Sequence, residues 1–282
     1  MIKRLVLLAS MAVLVFSSSA VSADEPEELV VFTAASLTGA FSEIAEMYED
    51  ETGIKVVSNF DGSQALRTQI EHGAYADVFA SANNKQMNAL KDLGLMNNSS
   101  VSIFTRNKLS LIIPKDNPAE ISNLRDIVKP GVKIVIGTKD VPVGDYALQI
   151  IDKLGNDSAY GPEYKEKVLA NIISQETNVN YVVTKIALGE ADVGFAYVSD
   201  VTLELSSRVS QIEITDEYNI IAEYPIGITT ESRYAAEALD FINLVKSEEG
   251  RAVLERYGFS PVLDSVAASE VSGTTEEPMA AA

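Results

Sequence analysis

Leu29-Val30-Val31-Phe32-Thr33-Ala34-Ala35-Ser36-Leu37, continuing through Thr38 to Glu51 and closed by Gly53, is the stretch that decides the fold. Leu29 to Phe32 form a short apolar run that reads as a buried strand. The segment from Leu37 to Glu51 then places Leu37, Phe41, Ile44, Ala45 and Tyr48 at helical spacing, with acidic residues on the opposite face. A strand that turns through small and hydroxyl residues directly into an amphipathic helix is the opening half of a βαβ unit. The same grammar repeats outward. Lys55-Val56-Val57 is a strand followed by a helix over 64–71, and Val78-Phe79-Ala80 is a strand followed by a helix over 85–93 closed by Gly94. This alternation predicts an α/β fold with parallel strand pairs.

Beyond residue 100 a second unit follows, with strands near 133–136 and 193–197 and helices near 145–154 and 179–188. Leu109-Ser110-Leu111-Ile112-Ile113 is an apolar run that reads as a strand ended by Pro114. Leu109 to Pro114 and Ala222 to Ile228 are expected to be the extended crossovers between lobes, and two helices over 234–245 and 248–257 return to the character of the first unit. The arrangement predicts one lobe inserted into another. The expected borders are 28–109 plus 224–262 for the first lobe and 110–223 for the second. A ligand is expected in the cleft, outside the carboxyl ends of the strands.

The ends of the chain carry different information. Lys3 and Arg4 precede an apolar run from Leu5 to Phe16, and Val21-Ser22-Ala23 supplies small residues suited to cleavage. This predicts a signal peptide over 1–23, a mature start near Asp24 and export from the cytoplasm. The apolar run is shorter than the ~20 residues a membrane span needs, and no cysteine stands ready for a lipid anchor. Residues 264–282 are rich in Ser, Ala, Thr and Glu without Lys or Arg, and are expected to be a disordered tail.

Composition removes whole classes of chemistry. The chain has no cysteine and one histidine, His72, which excludes zinc ribbons, Cys/His metal clusters and thiol catalysis. With 22 basic residues against 41 acidic ones, the formal net charge is −19, the wrong sign for displacing counterions from nucleic acid. The same charge argues at first sight against an anionic ligand. Local structure answers that objection. Thr33-Ala34-Ala35-Ser36-Leu37, Phe60-Asp61-Gly62-Ser63-Gln64, Val141-Pro142-Val143-Gly144 and Thr177-Asn178-Val179 each lead into a helix start. Helix starts offer unpaired N–H groups and the positive end of a dipole, which bind anions without any formal charge. Ser36 and Ser63 add hydroxyls and read as helix caps in their own right.

Other chemistry is poorly supported by pattern. His72 ends an amphipathic helix, where it complements the dipole, and there is no G-x-S-x-G nucleophile elbow. Glu46, Glu49, Asp50 and Glu51 read as a solvated helix face. Tyr181, Tyr197 and Tyr224 do not form the adjacent pair expected of a ferric site. No catalytic residue, cofactor or free metal ion is assigned.

The motifs taken together resemble a family. Phe32-Thr33-Ala34-Ala35-Ser36-Leu37, Phe60-Asp61-Gly62-Ser63, Gly73-Ala74-Tyr75-Ala76-Asp77-Val78-Phe79-Ala80-Ser81-Ala82, Val141-Pro142-Val143-Gly144-Asp145-Tyr146-Ala147 and Arg256-Tyr257-Gly258-Phe259 are similar, in this order, to the periplasmic molybdate-binding proteins of ABC importers. The resemblance implies a type II periplasmic-binding-protein fold, with two mixed sheets flanked by helices and a ligand cleft between lobes. It implies molybdate or tungstate held by neutral donors: hydroxyls and N–H groups of Ser36 and Ser63, N–H groups of Val143 and Val179, and the hydroxyl of Tyr197. An octahedral variant of the family uses carboxylates as metal ligands. Val141-Pro142-Val143 contains none, so tetrahedral recognition is expected. Three departures stand out: Thr177-Asn178-Val179-Asn180 differs from the usual residues, Val143 stands where a smaller residue is common although its backbone donor survives the change, and Asp61 places a carboxylate beside the serine loop. The implied partner is a membrane permease, and the receptor is expected to be monomeric, in a periplasm or on the outer face of the membrane. A receptor for sulfate or phosphate, or an enzyme on the same fold, are the alternative readings.

Overall fold

The computed structural model describes residues 28–202 and 204–262. The expected signal peptide over 1–23, the cleavage near Asp24 and the acidic tail over 264–282 lie outside the described residues. In chain order the elements are β1 (Glu28–Ala34), α1 (Thr38–Thr52), β2 (Lys55–Asp61), α2 (Ser63–Glu71), β3 (Val78–Ala80), α3 (Asn84–Asp92), β4 (Ser102–Asn107), β5 (Leu109–Pro114) and β6 (Ile134–Gly137). There follow α4 (Pro142–Asn156), α5 (Tyr164–Ala170), β7 (Ile172–Glu176), α6 (Val179–Ala187), β8 (Val193–Tyr197), β9 (Val209–Glu213), β10 (Ala222–Ile228), α7 (Ala235–Lys246), α8 (Glu248–Arg256) and β11 (Ser260–Pro261).

Two mixed sheets flanked by helices form two lobes. The first sheet runs β11-β4-β10-β3-β1-β2 and the second β7-β6-β8-β5-β9. In the first, β1 lies parallel to β2 and β3, while β10 is antiparallel to β3 and β4. In the second, β6 is parallel to β7 and β8, and β5 runs antiparallel to β8 and β9. The chain passes from one sheet to the other at Lys108, between β4 and β5, and returns between Glu213 and Ala222. The strand expected over Leu109–Ile113 is β5, but neither segment read as a crossover spans the lobes: β5 belongs wholly to the second sheet and β10 to the first. Every residue of β5 is buried, as expected of a strand covered on both faces.

The packing of α1 shows why the first segment is decisive. Ala40, Phe41, Ile44, Ala45 and Tyr48 are buried along one face, and Gly53 ends the helix in the left-handed conformation at φ 75°. Phe41 meets Phe104 and Phe241 edge to face at 5.7 and 6.1 Å between centroids, and Tyr48 meets Phe241 at 5.4 Å. Such pairs add about 0.5–1.5 kcal/mol each beyond their buried area. They tie the first helix to α7, so both ends of the described chain complete one lobe around the inserted one.

Candidate functional site

All three parallel strands of the second sheet and all three of the first point their carboxyl ends at one interlobe cavity. Ser36 follows β1, Gly62 and Ser63 follow β2, Ala82 follows β3, Val143 opens α4 after β6, Val179 opens α6 after β7, and Tyr197 ends β8. The cavity holds about 210 Å³ of empty space including its mouth. It is lined by Ala34, Ala35, Ser36, Gly62, Ser63 and Ala82 from the first lobe and Val141, Pro142, Val143, Asn178, Val179 and Tyr197 from the second. The five residues singled out from sequence, Ser36, Ser63, Val143, Val179 and Tyr197, are thus brought together from segments far apart in the chain.

Local structure differs from expectation at both serines. Neither caps its helix. Ser36 sits inside a 3-10 turn over Ala35–Leu37 that precedes α1, and Ser63 is the first residue of α2, whose cap is Gly62. Their hydroxyls are turned elsewhere: Ser63 Oγ accepts from Ala82 N–H at 2.9 Å, and Ser36 Oγ lies 3.1 Å from the Tyr224 hydroxyl. The fourth helix begins earlier than predicted, at Pro142 rather than Asp145, because proline at the first helical position is preorganised for it. Its first intrahelical donor is Asp145 N–H, bonded to Val141 at 2.9 Å, which leaves Val143 N–H without a partner in the helix. Gly144 is required there, since a Cβ would meet the Thr138 carbonyl at 2.1 Å. At α6, Asn178 is the cap, accepting from Tyr181 N–H, and Val179 N–H is left in the same open position.

The electrostatics are those of dipoles. No Lys or Arg is among the lining residues. The starts of α2, α4 and α6 converge, each equivalent to about half a positive charge. Tyr197 is 1% exposed, and its hydroxyl has no hydrogen-bond partner among the described residues, a costly state for a buried polar group. Burial holds the Tyr197 phenol well above the ordinary tyrosine range, so it is a proton donor at neutral pH. Its backbone N–H donates to Asp200 at 2.7 Å, and burial raises that carboxyl to about 8 despite this bond.

Asp61, the carboxylate beside the serine loop, is paired. Its Oδ1 accepts from Gly62 N–H at 2.7 Å and from Asn178 Nδ2 at 3.1 Å, bridging the lobes. Gln86 Nε2 donates to the Asp140 carbonyl at 3.0 Å in a second interlobe bond. Asn178 was not anticipated as a site residue; an asparagine before an apolar helical run marks a cap, but its partner lies 117 residues away and leaves no local signal. His72 and Tyr181, set aside on sequence grounds, are not among the cavity-lining residues. His72 ends α2, the opposite end from Ser63, with Nδ1 2.7 Å from the Thr68 carbonyl. Tyr181 is exposed. Among the described residues, no cluster of His, Cys, Asp and Glu suits a metal ion.

Two α/β lobes joined by two crossovers, closing on a donor-lined cavity at the carboxyl ends of their parallel strands, define a two-lobed solute-binding protein. The family model for bacterial extracellular solute-binding proteins matches residues 29–260, and the chain belongs to that family. The molybdate-binding protein ModA of Mycobacterium tuberculosis (strain ATCC 25618 / H37Rv) is 31% identical over 245 residues, covering 86% of this chain and 88% of that protein. ModA of Escherichia coli (strain K12) is 29% identical, covering 84% and 90%. In structure, the periplasmic molybdate-binding protein of Azotobacter vinelandii superimposes with a TM-score of 0.72 at 22% identity, over 84% of this chain and 99% of that one, a likeness of fold.

Proposed function

We propose that this chain is an exported receptor that captures molybdate between its lobes and delivers it to an ABC importer in the membrane. The observation that carries the reading is the lining of the interlobe cavity. Ser36, Ser63, Val143, Val179 and Tyr197 supply hydroxyl and N–H donors from both lobes, with no formal positive charge among the lining residues. The similarity to proteins named as molybdate-binding supports the choice of oxyanion.

Closure of the lobes would place a tetrahedral dianion among fixed dipoles and exclude water, where each donor counts for more than in solution. The buried, unpartnered Tyr197 hydroxyl is a donor waiting for such an acceptor. Tungstate, of the same charge and shape, is proposed as a second ligand. The hinge is assigned to Lys108 and the segment 214–221, where the chain changes sheets. The protein is read as a binder and not an enzyme, because the partners of the cavity serines are the Ala82 N–H and the Tyr224 hydroxyl, neither of which is a general base at neutral pH. It is proposed to act as a monomer, in a periplasm or on the outer face of the membrane, with a membrane permease as partner.

The test is ligand-dependent stability. A ligand bound only by the folded state raises its stability by RT ln(1 + [L]/Kd), about 2.7 kcal/mol at a hundredfold excess over Kd. Molybdate should raise the melting temperature, and phosphate at equal concentration should not. No response to molybdate would refute the reading.

A further inference from the structure

Both serines of the cavity have their oxygen engaged by the protein before any ligand arrives. Ser63 Oγ accepts from the buried Ala82 N–H. Ser36 Oγ stands 3.1 Å from the Tyr224 hydroxyl, a pair in which either group can donate. The ligand decides between the two directions. A fully ionised oxyanion presents only acceptors, so Ser36 must turn its proton into the cavity to bind it. The serine lone pair is then free to receive the phenol proton, and the bond can run only from Tyr224 to Ser36.

Tyr224 is built to hold that position. It is fully buried on β10, the strand by which the chain re-enters the first lobe. Its ring meets Phe259, Tyr197 and Phe104 edge to face at 5.5, 5.8 and 6.4 Å, which fixes the oxygen. Burial pushes its phenol well above the ordinary range, so the proton is retained.

From this geometry we infer that Tyr224 is the positioning residue for Ser36. It donates to the serine oxygen and aims the Ser36 proton at the ligand, as Ala82 N–H does for Ser63. The inference rests on the cavity being an oxyanion site. Two consequences follow. The chain Tyr224 O–H to Ser36 O–H to ligand polarises each bond in turn. And with one lone pair of each serine oxygen occupied and its proton aimed at the ligand, a protonated anion gains less acceptance from the serines than a fully ionised one gains donation.

The test is a double-mutant cycle on the full chain, read by molybdate calorimetry with the wild type, Ser36→Ala, Tyr224→Phe and the double variant. Tyr224→Phe keeps the ring and removes one hydroxyl, and should weaken molybdate binding about three- to tenfold, the range for one hydrogen bond. The double variant should bind within about twofold of Ser36→Ala, because the phenol acts through the serine. A Tyr224→Phe protein that binds like wild type, or losses that simply multiply, would overturn the inference while leaving the proposed function standing. A wild type that does not bind molybdate removes the function and this inference with it. Should Tyr224→Phe not fold, the Tyr224 hydroxyl proton is followed by NMR in wild type and Ser36→Ala. Its resonance should move downfield with saturating molybdate only when Ser36 is present, and an unmoved resonance in wild type would overturn the inference.

Discussion

Gly62→Ala separates lobe closure from lobe stability. Gly62 has φ −58° and ψ 133°, a conformation any residue adopts, so alanine brings no backbone strain. Within its own lobe the change should be neutral or slightly stabilising, by about 0.4–1 kcal/mol through the unfolded chain. Across the cleft it is not neutral. A Cβ at this position would stand 2.4 Å from the Thr177 carbonyl of the other lobe, where ordinary contact begins at 3.4 Å. The lobes must therefore stay about 1 Å further apart at this point. A hydrogen bond of about 2.9 Å stretched by that much is lost. Each donor to a charged ligand is worth about 1.5–3 kcal/mol, so losing one or two from the second lobe costs about 3 kcal/mol, on the order of a hundredfold in affinity. Calorimetry with molybdate and thermal melts without ligand read the two effects separately. The expected result is an unchanged or slightly raised melting temperature with binding weakened about a hundredfold. Affinity within a few-fold of wild type would show that the cleft does not close on this contact, and the reasoning would fail.

Tyr197→Phe should move stability and binding in opposite directions. Removing a buried hydroxyl without a partner should raise ligand-free stability by about 1 kcal/mol in urea denaturation, while molybdate affinity falls by about 1.5–3 kcal/mol. Ser63→Ala should lower both, because it also leaves the buried Ala82 N–H unpaired, at a cost of about 1–3 kcal/mol in the same denaturation assay. Asp200 predicts a pH dependence: its folded-state carboxyl is raised from 3.8 to about 8, so the folded chain keeps a proton that the unfolded chain releases. Its contribution to stability is full below the unfolded value and is lost as pH rises toward about 8. Asp200→Asn, which keeps an acceptor for Tyr197 N–H, should flatten the stability profile across that window; an unchanged slope would contradict the assignment.

Much of the site was readable because its parts are local signals. A strand, a small or hydroxyl residue and a helix start recur four times, and each can be recognised within ten residues. Placing those starts at strand carboxyl ends pointed to the cleft, while the particular set Ser36, Ser63, Val143, Val179 and Tyr197 came from the family resemblance; Tyr197 ends β8 and belongs to none of the four helix starts. What stayed hidden depends on distance or alternatives. Nothing near Asp61 announces Asn178, and nothing near Ser36 announces Tyr224, 188 residues away. The serines read as caps because the cap is the commonest use of such a residue, whereas tertiary partners claimed both hydroxyls. The strands β7 and β9 alternate between partly covered and exposed residues at the edges of their sheet, so neither shows the apolar run that marked β5 and β8. The net charge of −19 proved a poor guide to the cavity, whose lining contains neither Lys nor Arg and no carboxylate. Net charge describes the solvated faces, where salt screens it.

The central claim, that neutral donors from both lobes recognise a fully ionised tetrahedral oxyanion, is tested most directly by calorimetric titration with molybdate, tungstate, sulfate and phosphate in physiological salt. The account predicts one molybdate bound per chain, tungstate competing for the same site, and phosphate, which carries a proton near neutral pH, binding far more weakly. Silence with molybdate, or phosphate binding as tightly as molybdate, would contradict it.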